Sequence, residues 1–167
     1  MIALSLCELQ RNRVILRTEL ASDLPVVTGD RVQLQQVVLN LLRNASDAMS
    51  AVEDRPRQLL IRTERDEGGR VRLTVQDAGV GLAPQAMDRI FEAFYTTKNE
   101  GMGMGLSVSR SIIERHHGRL WAAPNDGPGA TFSFSIPSGP ASATGARSLG
   151  VIGTPAAKDA KRVQGNP

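Results

Sequence analysis

At 167 residues the chain is long enough for one domain with a real core and a short extension. A hydrophobic share of 41% and a charged share of 22% are ordinary for a globular protein, and no apolar run approaches the roughly 20 residues a membrane helix needs. The net charge of +3 sits wholly in residues 138–167, where Arg147, Lys158, Lys161 and Arg162 outnumber Asp159. Residues 1–137 are therefore neutral and lack the broad basic face that phosphate-backbone binding uses, which excludes nucleic acid as a partner.

The apolar start, Met1 to Cys7, has no basic segment before it and is followed by Glu8 and Arg11, which argues against a signal peptide. A single cysteine, Cys7, permits no internal disulfide and fits a reducing compartment, so a cytoplasmic location is expected, with no membrane contact by this segment and membrane anchoring of a longer parent protein left open. Val14–Leu20 reads as a strand, and the turn-rich Ala21–Gly29 follows it. Asp30 has the chemistry of a helix N-cap, and Gln33 three residues on completes a capping-box pattern. Leu34, Val37, Val38, Leu41, Leu42, Ala45 and Met49 then follow 3-4 spacing and predict one buried helical stripe. Gln36, Asn40, Asn44 and Asp47 form a second, polar stripe that looks into a common space.

Leu59–Thr63 and Val71–Val75 read as strands joined by a hairpin at Asp66-Glu67-Gly68-Gly69, the second delivering Gln76 and Asp77 at its end. Pro84 suits the first turn of a short helix carrying Met87, Ile90 and Phe91. Phe94 to Gly105 reads as irregular. From Gly105 a helix runs to His117, burying Leu106, Ile112 and Ile113, with Gly118 as its terminator. Arg119–Ala123 and Thr131–Ile136 are the last strands, with Phe132, Phe134 and Ile136 inward and Ser133 and Ser135 outward. After Pro137 no period survives, and the composition is that of a disordered tail. Strands alternating with helices, two pairs of them at hairpin distance, predict a mixed α/β sheet with helices on one face and the other partly open.

Three segments carry chemistry. Amides and an acid on one stripe could be a solvent face, but such faces favour Lys and Glu, the better helix formers; amide oxygens suit Mg²⁺, whose ligands are oxygens. Asp77-Ala78-Gly79-Val80-Gly81 could be a simple turn. It also places a carboxylate where an adenine amino group could donate to it, with glycines that let the backbone pass close to a base. Gly101-Met102-Gly103-Met104-Gly105 lacks the preceding strand and third-glycine spacing of a dinucleotide fingerprint, and no Gly-Lys-Ser/Thr marks a P-loop. What remains is a glycine-rich stretch ending at a helix N-terminus, able to offer N–H groups to phosphate, with Lys98 just before it. His116 and His117 end a helix, where a cationic ring complements the dipole, and read as structural. Cys7 and Trp121 read as packing residues.

In this order the segments resemble the catalytic ATP-binding domain of a sensor histidine kinase, in the superfamily that includes gyrase, Hsp90 and MutL. The resemblance covers about Val14 to Pro137. Asn40–Ala48 is similar to the N box, Asp77–Gly81 to the first glycine box, Phe91–Lys98 to the F box, Gly101–Leu106 to the second glycine box, and Gly129-Ala130-Thr131 to the segment whose threonine lies near adenine. The fold this implies is the Bergerat α/β sandwich: two layers, a mixed and mostly antiparallel sheet, helices on one face. The resemblance further implies ATP and Mg²⁺ as cofactors, with Asn44 as the metal ligand and Asn40, Asn44 and Lys98 as catalytic residues. Its nucleotide-binding set is Asn44, Asp47, Asp77, Gly79, Gly81, Thr97, Lys98, Gly101, Gly103, Gly105, Leu106 and Thr131, with Asp77 on adenine.

The gyrase-like branch keeps a water-activating Glu four residues before the metal-binding asparagine. Here Asn40 stands there, and an amide takes no proton at neutral pH. Donation to a partner is therefore expected over hydrolysis. The partners implied are a histidine-containing dimerisation domain and the receiver domain of a response regulator. Residues 1–13 are expected to lead from a missing dimerisation domain, residues 14–137 to form the catalytic domain, and residues 138–167 to be the tail. A stand-alone Ser/Thr kinase that inhibits a sigma factor and a non-catalytic nucleotide-sensing module are the other readings.

Overall fold

In a computed structural model, which describes residues 9–87, 89–96 and 103–139, two helices pack on one face of a five-stranded sheet. The strands are β1 (Ile15–Leu20), β2 (Gln58–Asp66), β3 (Arg70–Asp77), β4 (Arg119–Pro124) and β5 (Ala130–Pro137); the helices are α1 (Arg31–Met49) and α2 (Gly105–Arg115). The sheet order is β1-β2-β3-β5-β4, with β1 parallel to β2 and every other pair antiparallel. This is the mixed sheet with helices on one face that the strand pattern predicts, and the mostly antiparallel α/β sandwich that the resemblance implies.

Alternation decides which face is buried. Val71, Leu73 and Val75 stand beside Ile136, Phe134 and Phe132, which in turn neighbour Leu120 and Ala122. Against this apolar face α1 lays Val37, Leu41, Ala45 and Met49, and α2 lays Ile112 and Ile113. Leu106, expected in the core, is only half-buried at the start of α2. The other face of the sheet is polar but not bare. Ser133 and Ser135 lie on it as expected, yet both are buried. Thr74 shares a hydrogen bond with Ser133 at 3.0 Å, and Arg70 donates from Nε to the Ser135 hydroxyl at 3.2 Å. Arg72 and Arg119 set their guanidinium groups over the Trp121 ring, at 5.5 and 5.8 Å from its centroid. Long arginine stems thus cover backbone that an open face would expose.

Both helix ends depart from the simplest reading. Asp30 caps α1, its Oδ1 accepting from the N–H groups of Val32 at 2.8 Å and Gln33 at 3.1 Å. The capping box stops there. The Asp30 N–H goes not to Gln33 but to Nε2 of His116, at 2.9 Å. The imidazole then donates from Nδ1 to the Ile112 carbonyl at 2.7 Å, so both ring nitrogens are used. His116 straps the start of α1 to the end of α2.

At the end of α2 the left-handed residue is His117, with φ of 54°, and not Gly118. The N–H of His117 bonds to Glu114 O and that of Gly118 to Ile113 O, both at 2.9 Å, which is a Schellman closure. Gly118 is small for a different reason: a Cβ there would lie 2.6 Å from the Ser135 carbonyl oxygen. The short helix expected after Pro84 is a single 3₁₀ turn, Pro84–Ala86, because its cap residue Ala83 has no side chain to hold the first N–H groups. The packed unit also reaches past residues 14–137 at both ends. Leu9, in a last helical turn, is buried in the core, and Ser138 pairs with Val27. Among the described residues no helix is long and apolar enough to cross a membrane.

A side chain in the left-handed region costs about 1 kcal/mol relative to glycine. Part of this is offset by the greater freedom of glycine in the unfolded chain. His117→Gly is therefore expected to stabilise the domain by about 0.5 kcal/mol, read as a higher urea midpoint with an unchanged slope.

Candidate nucleotide site

The site is built where the C-terminal half of α1 meets the end of β3. On α1 the polar stripe is graded, with Asn40 and Asn44 half-buried and Gln36 and Asp47 exposed. The turn after β3 presses on the last turn of α1. Val80 N–H bonds to Ala48 O at 3.1 Å, and a Cβ on Gly79 would lie 2.7 Å from that same oxygen. Asn44, Asp47, Asp77, Gly79 and Gly81 are thus brought to one end of the domain.

Asp77 is buried, with 3% of its surface exposed. Its Oδ1 accepts from Gly79 N–H at 2.8 Å and from Ala130 N–H at 3.4 Å. Its Oδ2 accepts nothing among the described residues. No fully sealed side-chain oxygen there lacks a partner, so Oδ2 opens to solvent. Burial pushes the carboxyl above its ordinary value, and the two N–H groups pull the other way without cancelling it. A carboxylate fixed by one oxygen, with the other presented, can accept a hydrogen bond from a ligand without moving.

The loop before β5 completes the frame. Gly129 has φ of 97°, and a Cβ there would overlap the Asp77 carbonyl oxygen. That oxygen accepts from Asn125 Nδ2 at 2.9 Å, and the same amide reaches Pro128 O at 3.0 Å. Thr131, expected beside the base, is turned away. It pairs with Gln76 and lies on the opposite pleat from Asp77, where its hydroxyl donates to Asn125 Oδ1 at 2.7 Å. Ala130, one residue earlier, stands next to the carboxylate instead.

Asn40 is placed differently from Asn44. Its Nδ2 donates to Ser109 Oγ of α2 at 3.0 Å, and a Cβ on Gly105 would overlap its amide oxygen. It therefore bridges the two helices in this conformation. Gly103, with φ of 64°, accepts from Phe94 N–H at 3.0 Å and closes the base of the glycine segment. Thr97, Lys98 and Gly101 lie outside the described residues. Two hollows of about 370 Å³ open elsewhere, one around Trp121 on the arginine face and one between α2 and the free edge of β4. Neither shares a residue with the Asp77 turn or α1.

Residues 29–140 match the family described as histidine kinase-, DNA gyrase B-, and HSP90-like ATPase. The chain belongs to this family. Within it the chain is the ATP-binding catalytic domain of a sensor histidine kinase. It is 42% identical over 135 residues to the sensor protein FixL of Bradyrhizobium diazoefficiens, a match covering 81% of this chain and 26% of FixL. The chain thus spans about a quarter of that relative's length. The catalytic domain of histidine kinase ThkA superposes with a TM-score of 0.71 at 31% identity, over 83% of this chain and 89% of that one. Full-length ShkA, solved in complex with AMPPNP, gives 0.69 at 31% identity, over 81% of this chain and 28% of ShkA.

Arg55, which donates to the carbonyls of Ala78 and Gly79, and Ser109, His116 and Asn125 tie together the elements around α1 and Asp77, through partners that leave no periodic mark in the sequence. Two outcomes follow from the buried acid and its frame. The folded carboxyl of Asp77 keeps its proton to a higher pH than the unfolded one. Its contribution to stability is therefore complete below the ordinary value of 3.8 and is lost as pH rises through the raised folded value. Urea unfolding across the acid range should show this slope, and Asp77→Asn should remove it. Gly129→Ala, which combines a left-handed backbone with an overlap on Asp77, should destabilise by about 1–3 kcal/mol in the same assay.

Proposed function

We propose that this domain binds Mg-ATP and donates its γ-phosphoryl group to a histidine on a separate dimerisation domain, for relay to a response-regulator aspartate. The observation that carries the reading is Asp77, whose buried carboxylate is locked through Oδ1 and open at Oδ2. Such an acceptor suits the adenine amino group and discriminates against guanine, which presents an oxygen there. A charged hydrogen bond of this kind is worth about 1.5–3 kcal/mol.

The donor set fits a cation that arrives with phosphate. Among the described residues no three His, Cys, Asp or Glu side chains gather as a metal site, while Asn44 offers a neutral amide oxygen on the stripe facing the ligand. Mg²⁺ there would take Asn44 and phosphate oxygens as ligands, and when bound it neutralises charge on the phosphates. The helix α2 begins at Gly105, which abuts Asn40 on the polar stripe of α1, and N–H groups at such a helix start would suit phosphate oxygens. Lys98 would add a point charge.

Transfer is favoured over hydrolysis by Asn40. Its amide cannot take a proton from water, and its hydrogen bond to Ser109 commits it to α2. The acceptor histidine would come from outside, and Phe94, Met104 and Val108 leave apolar side chains exposed beside the start of α2, where a partner helix could pack. Histidine kinase ThkA has been solved in complex with response regulator protein TrrA, which supports a receiver domain as the next partner. The reaction belongs in the cytoplasm, where ATP is supplied.

The test mixes the chain, radiolabelled ATP and Mg²⁺ with a cognate dimerisation domain. Acid-labile, base-stable label on that domain is the expected outcome, and ATP binding without any transfer would overturn the kinase reading. Asp77→Asn should weaken ATP binding by about tenfold or more by titration calorimetry. Asn44→Ala should abolish the Mg²⁺ dependence of that affinity.

A further inference from the structure

We propose that Arg55 is a positioning residue for adenine recognition, holding the turn that decides which oxygen of Asp77 faces the base. The inference rests on the reading of Asp77 as the adenine acceptor. Arg55 lies in the loop between α1 and β2. Its Nε donates to Ala78 O at 3.2 Å and its NH2 group to Gly79 O at 2.9 Å. Its NH1 group bonds both oxygens of Asp54, at 3.0 and 3.1 Å, so the charge is paired and the fork is held flat.

The consequence comes from the rigidity of peptide planes. The Ala78 carbonyl and the Gly79 N–H belong to one peptide unit. Arg55 grips that unit at its oxygen, and its N–H then points at Asp77 Oδ1, 2.8 Å away. The next unit, Gly79 to Val80, is held in the same way: Arg55 takes its oxygen and Ala48 O accepts its N–H at 3.1 Å. Ala78 N–H is fixed on Gln58 O at 3.1 Å. Every backbone donor and acceptor from Ala78 N to Val80 N is thereby used. Glycine at 79 would otherwise let either unit flip. A flip of the first unit would release Oδ1 from the Gly79 N–H and leave only the longer Ala130 contact, at 3.4 Å, to orient the carboxylate. Lysine cannot replace the fork, because one ammonium cannot span two carbonyls in a fixed plane.

The test is calorimetric titration of the wild type, Arg55→Gln, Arg55→Lys and Asp77→Asn with ADP and with GDP, each read well below its melting temperature. Arg55→Gln is expected to raise the Kd for ADP by about tenfold and to lower the ratio of ADP to GDP affinity. It should also move the acid limb of ADP binding to higher pH, since Asp77 loses an N–H that opposes the effect of its burial. Arg55→Lys keeps the charge beside Asp54 and guards against simple unfolding, and it should still lose the ADP preference. If both Arg55 variants melt lower but keep the wild-type ADP affinity, nucleotide ratio and pH limb, while Asp77→Asn loses binding, Arg55 serves the fold alone and the inference fails. An Asp77→Asn variant with unchanged ADP affinity would overturn the adenine reading itself, and the inference with it.

Discussion

The domain depends on one helix that must satisfy two surfaces at once. The apolar stripe of α1 is driven onto the sheet, where Val37, Leu41 and Met49 are wholly buried. Each such side chain contributes about 1.5–3 kcal/mol. Helical geometry then leaves Asn40, Asn44 and Asp47 no choice of direction. The same docking brings Ala48 against the turn after β3, so the hydrophobic seating of α1 also sets the distance between the asparagine stripe and Asp77. A core residue such as Met49, one position beyond Ala48, is in this sense part of the geometry of the site.

Around that contact the buried acid Asp77 is held by neutral donors. Asp77 sits in a frame of N–H donors and carbonyl clamps, with Gly79, Ala130 and Asn125 each contributing a fixed hydrogen bond. Asn40 and Ser109 supply a second link, between α1 and the start of α2, and His116 a third, from the end of α2 back to the cap of α1. The two helices are tied at two points along their length.

Much of this was legible in the sequence wherever a period carried it. The 3-4 spacing of α1 and the strict alternation of β3 and β5 yielded the helix, the sheet and the inward residues. The family motifs drew attention to Asp77 and Asn44, and the fold brings the turn after β3 against the last turn of α1. What escaped were contacts with no periodic trace. His116 and Asp30 lie 86 positions apart, and a ring nitrogen replacing the back-bond of Gln33 leaves no local mark. Arg55 acts on two backbone carbonyls, which any residue would supply. Thr131 was misplaced by a single step along a strand, which in a period of two exchanges one face for the other. Ser133 and Ser135 obeyed the alternation but were covered from neighbouring strands, Ser133 by Thr74 and Trp121 and Ser135 by Arg70. The turn after Pro84 stayed short because apolar spacing alone does not nucleate a helix without a cap.

The arginine-covered face has a practical bearing. Trp121 is the sole tryptophan, and it stands beneath Arg72 and Arg119 on the side of the sheet away from α1 and Asp77. Its emission reports the separation of β4 from its neighbours and the loss of two stacked cations. It has no line of contact to a ligand held between α1 and the Asp77 turn. The domain thus carries an intrinsic optical gauge of its own folding, set on the opposite side of the sheet from Asp77.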